Sequence, residues 1–231
     1  MIHLNCDIGE QPDERERDLA LLALVDAVSI ACGGHAGDQH SAMFWRDAAS
    51  AHNKACHLHL GYPDREHFGR RALHMPWAQL AGALSQQRAL LAECTTVKFH
   101  GALYNQAAAD PVLAASLAQW CVHEGITALL APPASALADA GQQQGLRIYR
   151  EGFADRRYQR DGTGVRLMPR SEPAAVHDNP AAVLGQIHSV LAFGQLPLDD
   201  GVHPFDCDTW CIHSDSPAAL LIARAIRERW S

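Results

Sequence analysis

Seven short apolar runs, rich in Val, Ile and Leu, punctuate the chain: IHLNC (2–6), AVSIAC (27–32), ACHLH (55–59), TVKFH (96–100), ITALLA (126–131), LRIYR (146–150) and TWCIH (209–213). Runs of this length suit buried strands. Between them lie segments of helical spacing: Glu14–Leu24, His40–Asn53, Trp77–Glu93, Pro111–His123, Ser135–Gln143, Pro180–Phe193 and Pro217–Trp230. In the third of these, Leu80, Leu84 and Leu91 recur on one helical face, which can lie on a sheet. Three helix starts carry a capping side chain followed by proline, at Asp110-Pro111, Asn179-Pro180 and Ser216-Pro217. Strands alternating with helices predict βαβ units and a parallel sheet, either an open doubly wound sheet or a closed (β/α) barrel. The pairs Asp161-Gly162 and Asp200-Gly201 predict hairpin excursions near 156–171 and 195–208.

In parallel α/β folds the loops at the carboxyl ends of the strands converge on one face, so the polar residues there draw attention. The first strand end brings Asn5, Asp7 and Glu10, the second His35 and Asp38, and the third His57, His59 and Asp64. Lys98, His100 and Asn105 follow the fourth, Glu151, Asp155 and Arg156 the sixth, and His213 and Asp215 the last. Side chains two apart share a strand face. Asn5 with Asp7, His57 with His59 and Lys98 with His100 therefore form three polar pairs, separated by apolar Cys6, Leu58 and Phe99. This alternation predicts polar side chains facing inward and apolar ones facing the helices. Burying so many polar groups is costly unless they hydrogen-bond or bind something.

Composition narrows the class. The chain has 231 residues, is 48% hydrophobic and carries a formal charge of −7, which fits one domain over 1–231 and disfavours nucleic acid as a partner. Its longest apolar run, Leu19–Val25, is too short to span a bilayer, and the amino-terminal stretch lacks a signal-like pattern. Seven scattered cysteines without a C-x-x-C pair read as reduced thiols, and a cytoplasmic location is expected. No G-x-x-x-x-G-K-[ST] loop and no serine or cysteine nucleophile motif is present. The carboxylates, imidazoles and lysine suit either proton transfer with oxyanion stabilisation or a divalent metal held by His and Asp.

The stretches NCDIGE (5–10), IACGGHAGD (30–38), HLGYPD (59–64), FGRR (68–71), KFHGALYN (98–105), FADRRY (153–158), PRS (169–171) and IHSDSP (212–217) resemble the LamB/YcsF family over nearly the whole chain. The resemblance implies a single-domain (β/α) barrel with about seven parallel strands, related to glycoside hydrolase and polysaccharide deacetylase barrels. It implies ATP-dependent opening of the lactam 5-oxo-L-proline to L-glutamate, carried out with B and C subunits and with Mg accompanying ATP. The catalytic positions it implies are Asp7, His59, Lys98 and His100. Those for substrate binding are Asn5, Glu10, His35, Asp38, Asp155, Arg156, His213 and Asp215. Asp7 or His59 is assigned to orienting water, Lys98 and His100 to stabilising an oxyanion, and Arg156 to clamping the substrate carboxylate.

The family pattern carries Phe, Gly, Pro and Pro where this chain has Gly34, His57, Leu60 and Phe99, and Ser214 replaces a Gly. Gly34 is expected to open space beside His35. His57 adds an inward imidazole, so a second reading is a metal-dependent amide or acetyl hydrolase acting without ATP, its ligands drawn from Asp7, His57, His59 and His100. A non-catalytic scaffold subunit is the third.

Overall fold

The structure, a computed structural model, describes residues 2–162 and 164–230; Thr163, within the first expected excursion, lies outside them. Strands β1 (Leu4–Ile8), β2 (Ala27–Ala31), β3 (Ala55–Leu60), β4 (Thr96–Phe99), β5 (Ala128–Ala131), β6 (Arg147–Phe153) and β11 (Thr209–His213) close into a parallel seven-stranded barrel. Their order around it is β1, β11, β6, β5, β4, β3, β2. Each of the seven apolar runs supplies a barrel strand, and the open-sheet alternative falls. Two antiparallel hairpins, β7 (Tyr158–Asp161) with β8 (Gly164–Leu167) and β9 (Gln195–Leu198) with β10 (Gly201–Pro204), stand outside the barrel.

Helices α1 (Arg15–Leu22), α2 (Gln39–Ala51), α3 (Trp77–Arg88), α4 (Gly101–Ala109), α5 (Pro111–His123), α6 (Ala136–Gln143), α7 (Pro180–Phe193) and α8 (Ala219–Trp230) surround it. Cys6, Leu58, Phe99, Leu129 and Ile212 are fully buried between strands and helices. The caps at Asp110 and Asn179 form as the sequence indicates: Asp110 accepts from Val112 and Leu113 N–H, and Asn179 from Ala181 N–H. Ser216 does not cap, because α8 begins at Ala219 and the Ser216 hydroxyl has no partner among the described residues.

The sequence pattern misses α4. This helix starts directly after β4 and ends at Asp110, which is also the N-cap of α5. Only His100 separates it from β4, and the Asp110-Pro111 pair that stops it reads as the start of α5, so neither end is marked as belonging to a helix of its own. Gly101 makes the junction possible: its φ of +55° favours glycine, and a Cβ there would lie 2.7 Å from Gly69 O. At the other end of the barrel, Arg227 of α8 pairs with Asp26 at 2.7 Å and donates to Ile2 and Leu24 carbonyls. The last helix is thereby fastened to the start of the chain. Among the described residues no helix is long and apolar enough to cross a membrane.

Candidate active site

Strand parity turns Asp7, His59 and Lys98 inward: His59 registers with Lys98, and its Nε2 lies 3.5 Å from Asp7 Oδ2. Lys98 Nζ donates to Asp7 Oδ1 at 2.8 Å, lies 3.0 Å from Glu151 Oε1, and is 3.1 Å from Cys211 Sγ. The Phe153 ring sits 5.2 Å from the ammonium. Burial disfavours the charged amine, but Asp7, Cys211 and Glu151 outweigh it and raise Lys98 well above its ordinary value. Burial likewise pushes the Asp7 carboxyl up, yet His59 and Lys98 hold it down at about 2. Both groups are charged at neutral pH. Glu151 Oε2 accepts from the Tyr104 hydroxyl at 2.9 Å, and burial with this carboxylate raises the phenol's value well above normal.

Above this pair, Glu10 reaches over from the loop after β1, and three imidazoles converge on its Oε1. His35 Nε2 is 2.9 Å away, His100 Nδ1 3.2 Å and His59 Nε2 3.3 Å. His35 and His100 stack with centroids 3.6 Å apart and planes within 5°. Burial opposes charge on Glu10, but its contacts with the His100, His35 and His59 rings hold it well below the usual carboxylate range. Burial lowers His35 to about 3 and also lowers His100. His59 differs: burial lowers it, and Asp7 with Glu10 more than reverse this. A cleft of about 350 Å³ opens beside the cluster, lined by Glu10, Arg15, His35, Asp38, Arg65 and Phe68 among others.

The profile of the LamB/YcsF family matches residues 2–231. The chain belongs to the LamB/YcsF family. It is 38% identical over 238 residues to a Methylococcus capsulatus protein named as the A subunit of 5-oxoprolinase, covering 98% of this chain and 90% of that one. Against a Chloroflexus aggregans protein of the same name the identity is 40% over 244 residues, covering 98% and 93%. The solved structure of a lactam utilization protein from Thermus thermophilus superposes with a TM-score of 0.82 at 27% identity, covering 99% of this chain and 96% of that one.

The structure divides the residues expected of a LamB/YcsF site by depth. Asp155 and His213 face each other at the mouth, Oδ1 to Nδ1 at 2.9 Å. Asp215 sits at the rim, where it accepts from Arg70 at 2.7 Å and Arg170 at 2.9 Å. Asn5 lies two residues deeper than Asp7, and its amide donates to Thr209 Oγ1. Asp38 lines the cleft, but its carboxylate accepts from Ser41 N–H and caps α2. Arg156, expected to clamp a substrate carboxylate, is buried and donates to the Met168 and Ala175 carbonyls at 2.6 and 3.4 Å. Burial and the neighbouring Arg170 lower its value to about 10.

Two expectations need correcting. Of the candidate metal ligands Asp7, His57, His59 and His100, only His59 and His100 join the larger cluster that forms. Glu10, His35, His59 and His100 offer donor atoms within 4.8 Å of one another, and Asp7 groups with Cys211 and His213 instead. His57 points inward but deeper on β3, where burial lowers it to about 3 and its Nδ1 has no partner among the described residues. Nor does Gly34 open space beside His35. A Cβ there would meet Gln87 Oε1 at 2.3 Å, because Gln87 of α3 fills the gap and pairs with Gly61, accepting from its N–H at 3.0 Å and donating to its carbonyl at 2.9 Å.

Sequence reasoning misses Tyr104 and Cys211, and it reads Glu151 only as a strand-end acid. Tyr104 lies on α4, the helix without a sequence signature. Cys211 shares inward parity with His213, two residues on, which is the available signal.

Proposed function

We propose that this chain is the A component of an ATP-dependent 5-oxoprolinase, opening the lactam of 5-oxo-L-proline to L-glutamate together with B and C subunits. The observation that carries the reading is the buried Lys98, Asp7 and Glu151 set beneath a mouth ringed by His59, His100, Asp155 and His213. Such charge inside a barrel serves a ligand better than it serves packing. The names of the relatives supply the substrate and the membership of a larger assembly, and the free thiols at all seven cysteines fit a reducing cytoplasm.

A lactam carbonyl is a poor electrophile. ATP, bound with Mg, supplies phosphoryl activation of its oxygen. The chain's own residues then have distinct tasks. Asp7, held ionised, orients water through hydrogen bonding, with the His59 ring 3.5 Å from its other carboxylate oxygen. Lys98 stabilises the negative charge on the activated oxygen and the phosphoryl group it carries, by exchanging its weak Cys211 contact for the substrate. His100 supports His59 at 3.0 Å. With Arg156 bound to main-chain carbonyls, Arg70 and Arg170, paired on Asp215 at the rim, are better placed to take the substrate carboxylate.

The test is glutamate formation from 5-oxoproline plus ATP, with the chain alone and with B and C subunits added. Product is expected only from the complete set, and Asp7→Ala or His100→Ala should abolish it in a folded, assembled complex. Absence of product in every combination, or full activity of both variants, overturns the reading.

A further inference from the structure

The cluster around Glu10 holds an unresolved electrostatic problem. His59 Nδ1 lies 3.2 Å from Lys98 O, and His100 Nε2 lies 2.9 Å from Phe68 O. A carbonyl oxygen only accepts, so each of these nitrogens carries a hydrogen. In the neutral rings the other nitrogens, His59 Nε2 and His100 Nδ1, then present lone pairs. They face each other at 3.0 Å, and Glu10 Oε1 completes a triangle at 3.3 and 3.2 Å. Three acceptors at this spacing repel unless something positive lies between them. His35 Nε2 approaches the same carboxylate oxygen, and its Nδ1 is buried without a partner among the described residues.

We propose that this triangle is a binding site for a divalent transition-metal ion, zinc matching the donors best, with Glu10 Oε1, His59 Nε2 and His100 Nδ1 as ligands and His35 Nε2 beside them.

The dimensions agree. Ligand bonds of about 2.1 Å place neighbouring donors about 3.0 Å apart in octahedral and about 3.4 Å apart in tetrahedral geometry. The observed edges of 3.0, 3.2 and 3.3 Å fall in that interval without any side chain moving. Two of the ligand rings also donate their remaining N–H to main-chain carbonyls, the arrangement that orients an imidazole for a metal and strengthens it as a donor. Imidazole with one carboxylate favours zinc and its neighbours over magnesium or calcium, which prefer all-oxygen sites. The ion, once bound, would supply a Lewis acid at the barrel mouth next to the cleft. The competing occupant is a single proton on His59 Nε2, shared between the acceptors His100 Nδ1 and Glu10 Oε1. The inference concerns binding and does not rest on the lactam reading.

The test uses the full 231-residue chain, stripped with a chelator, dialysed, and titrated with Zn²⁺ and Co²⁺ by calorimetry and visible absorption. One ion per chain is expected, with a cobalt d–d spectrum that zinc abolishes and a thermal midpoint that rises with zinc. Glu10→Ala and His100→Ala should each weaken binding by at least about tenfold. His57→Ala, outside the triangle, should stay within about twofold of wild type. No stoichiometric uptake by the wild-type chain overturns the proposal, as does unchanged affinity in a His100→Ala variant with native circular dichroism. Either result assigns the triangle to a proton. Glutamate production plays no part in these readouts, so failure here and failure of the oxoprolinase reading are distinguishable.

Discussion

Replacing Lys98 by methionine isolates the charge balance inside the barrel. The side chain keeps its length and apolar stem while Asp7 and Glu151 lose the ammonium at 2.8 and 3.0 Å. At an effective dielectric of about 20, each contact is worth roughly 5 to 6 kcal/mol of attraction before desolvation and carboxylate repulsion are subtracted. Removing one member of a buried pair costs about 3–5 kcal/mol in practice, because the orphaned charge stays buried. Lys98→Met should lower stability by about that amount at pH 7, read as a shift of the urea midpoint at unchanged slope. In the wild type Asp7, depressed to about 2, contributes stability that is present above its unfolded value of about 3.9 and lost only as pH falls through 2. In the variant Asp7 loses the ammonium while its burial is unchanged. Neutralising it then relieves the orphaned charge, so the deficit should shrink as pH falls from neutral toward about 4. Adding Asp7→Asn and Glu151→Gln should recover most of the loss at pH 7. A Lys98→Met chain within about 1 kcal/mol of wild type at pH 7, or a deficit independent of pH, would refute the reasoning.

Three further outcomes are expected. Gly34→Ala should destabilise by about 1–3 kcal/mol through its collision with Gln87. In a Gln87→Ala background the same change should cost less, a coupling of at least about 1 kcal/mol in a double-mutant cycle of urea midpoints. Asp18, buried with Oδ2 accepting from Gly9 N–H at 3.0 Å, is raised to about 6 by burial. Its folded state holds the proton more tightly than the unfolded chain, so stability should fall by about 3 kcal/mol as pH rises from about 4 to above 6, and Asp18→Asn should flatten that slope in denaturation curves. Asp38→Ala removes the cap of α2 and should lower stability by about 1 kcal/mol, measured by thermal unfolding.

Inward and outward parity on the barrel strands is legible because a strand's side chains alternate with a fixed period, and one apolar residue between two polar ones sets the whole register. IHLNC, ACHLH and TVKFH, with the residues just beyond them, thus place Asp7, His59 and Lys98 correctly without knowledge of any contact. Period carries no information about reach. That is why Asp38 and Arg156, equally polar and equally near strand ends, count with the site on the sequence although one caps a helix and the other braces main-chain carbonyls.

By itself the sequence determined seven strands, their alternation with helices, the inward set and the family resemblance, all of which are local or periodic properties of the chain. Periodicity alone allows an open sheet as well as the closed barrel that the resemblance implies, and it is the pairing of β1 with both β2 and β11 that closes the sheet. Closure also brings Glu10 to three imidazoles from three different loops and strands, lays Glu151 against Lys98, and pushes Gln87 into the space that Gly34 leaves. Even Glu10 and His35, the nearest of these partners along the chain, are 25 residues apart, beyond the window over which a periodic signal survives. Their meeting depends on barrel curvature and helix packing, which a one-dimensional pattern does not encode.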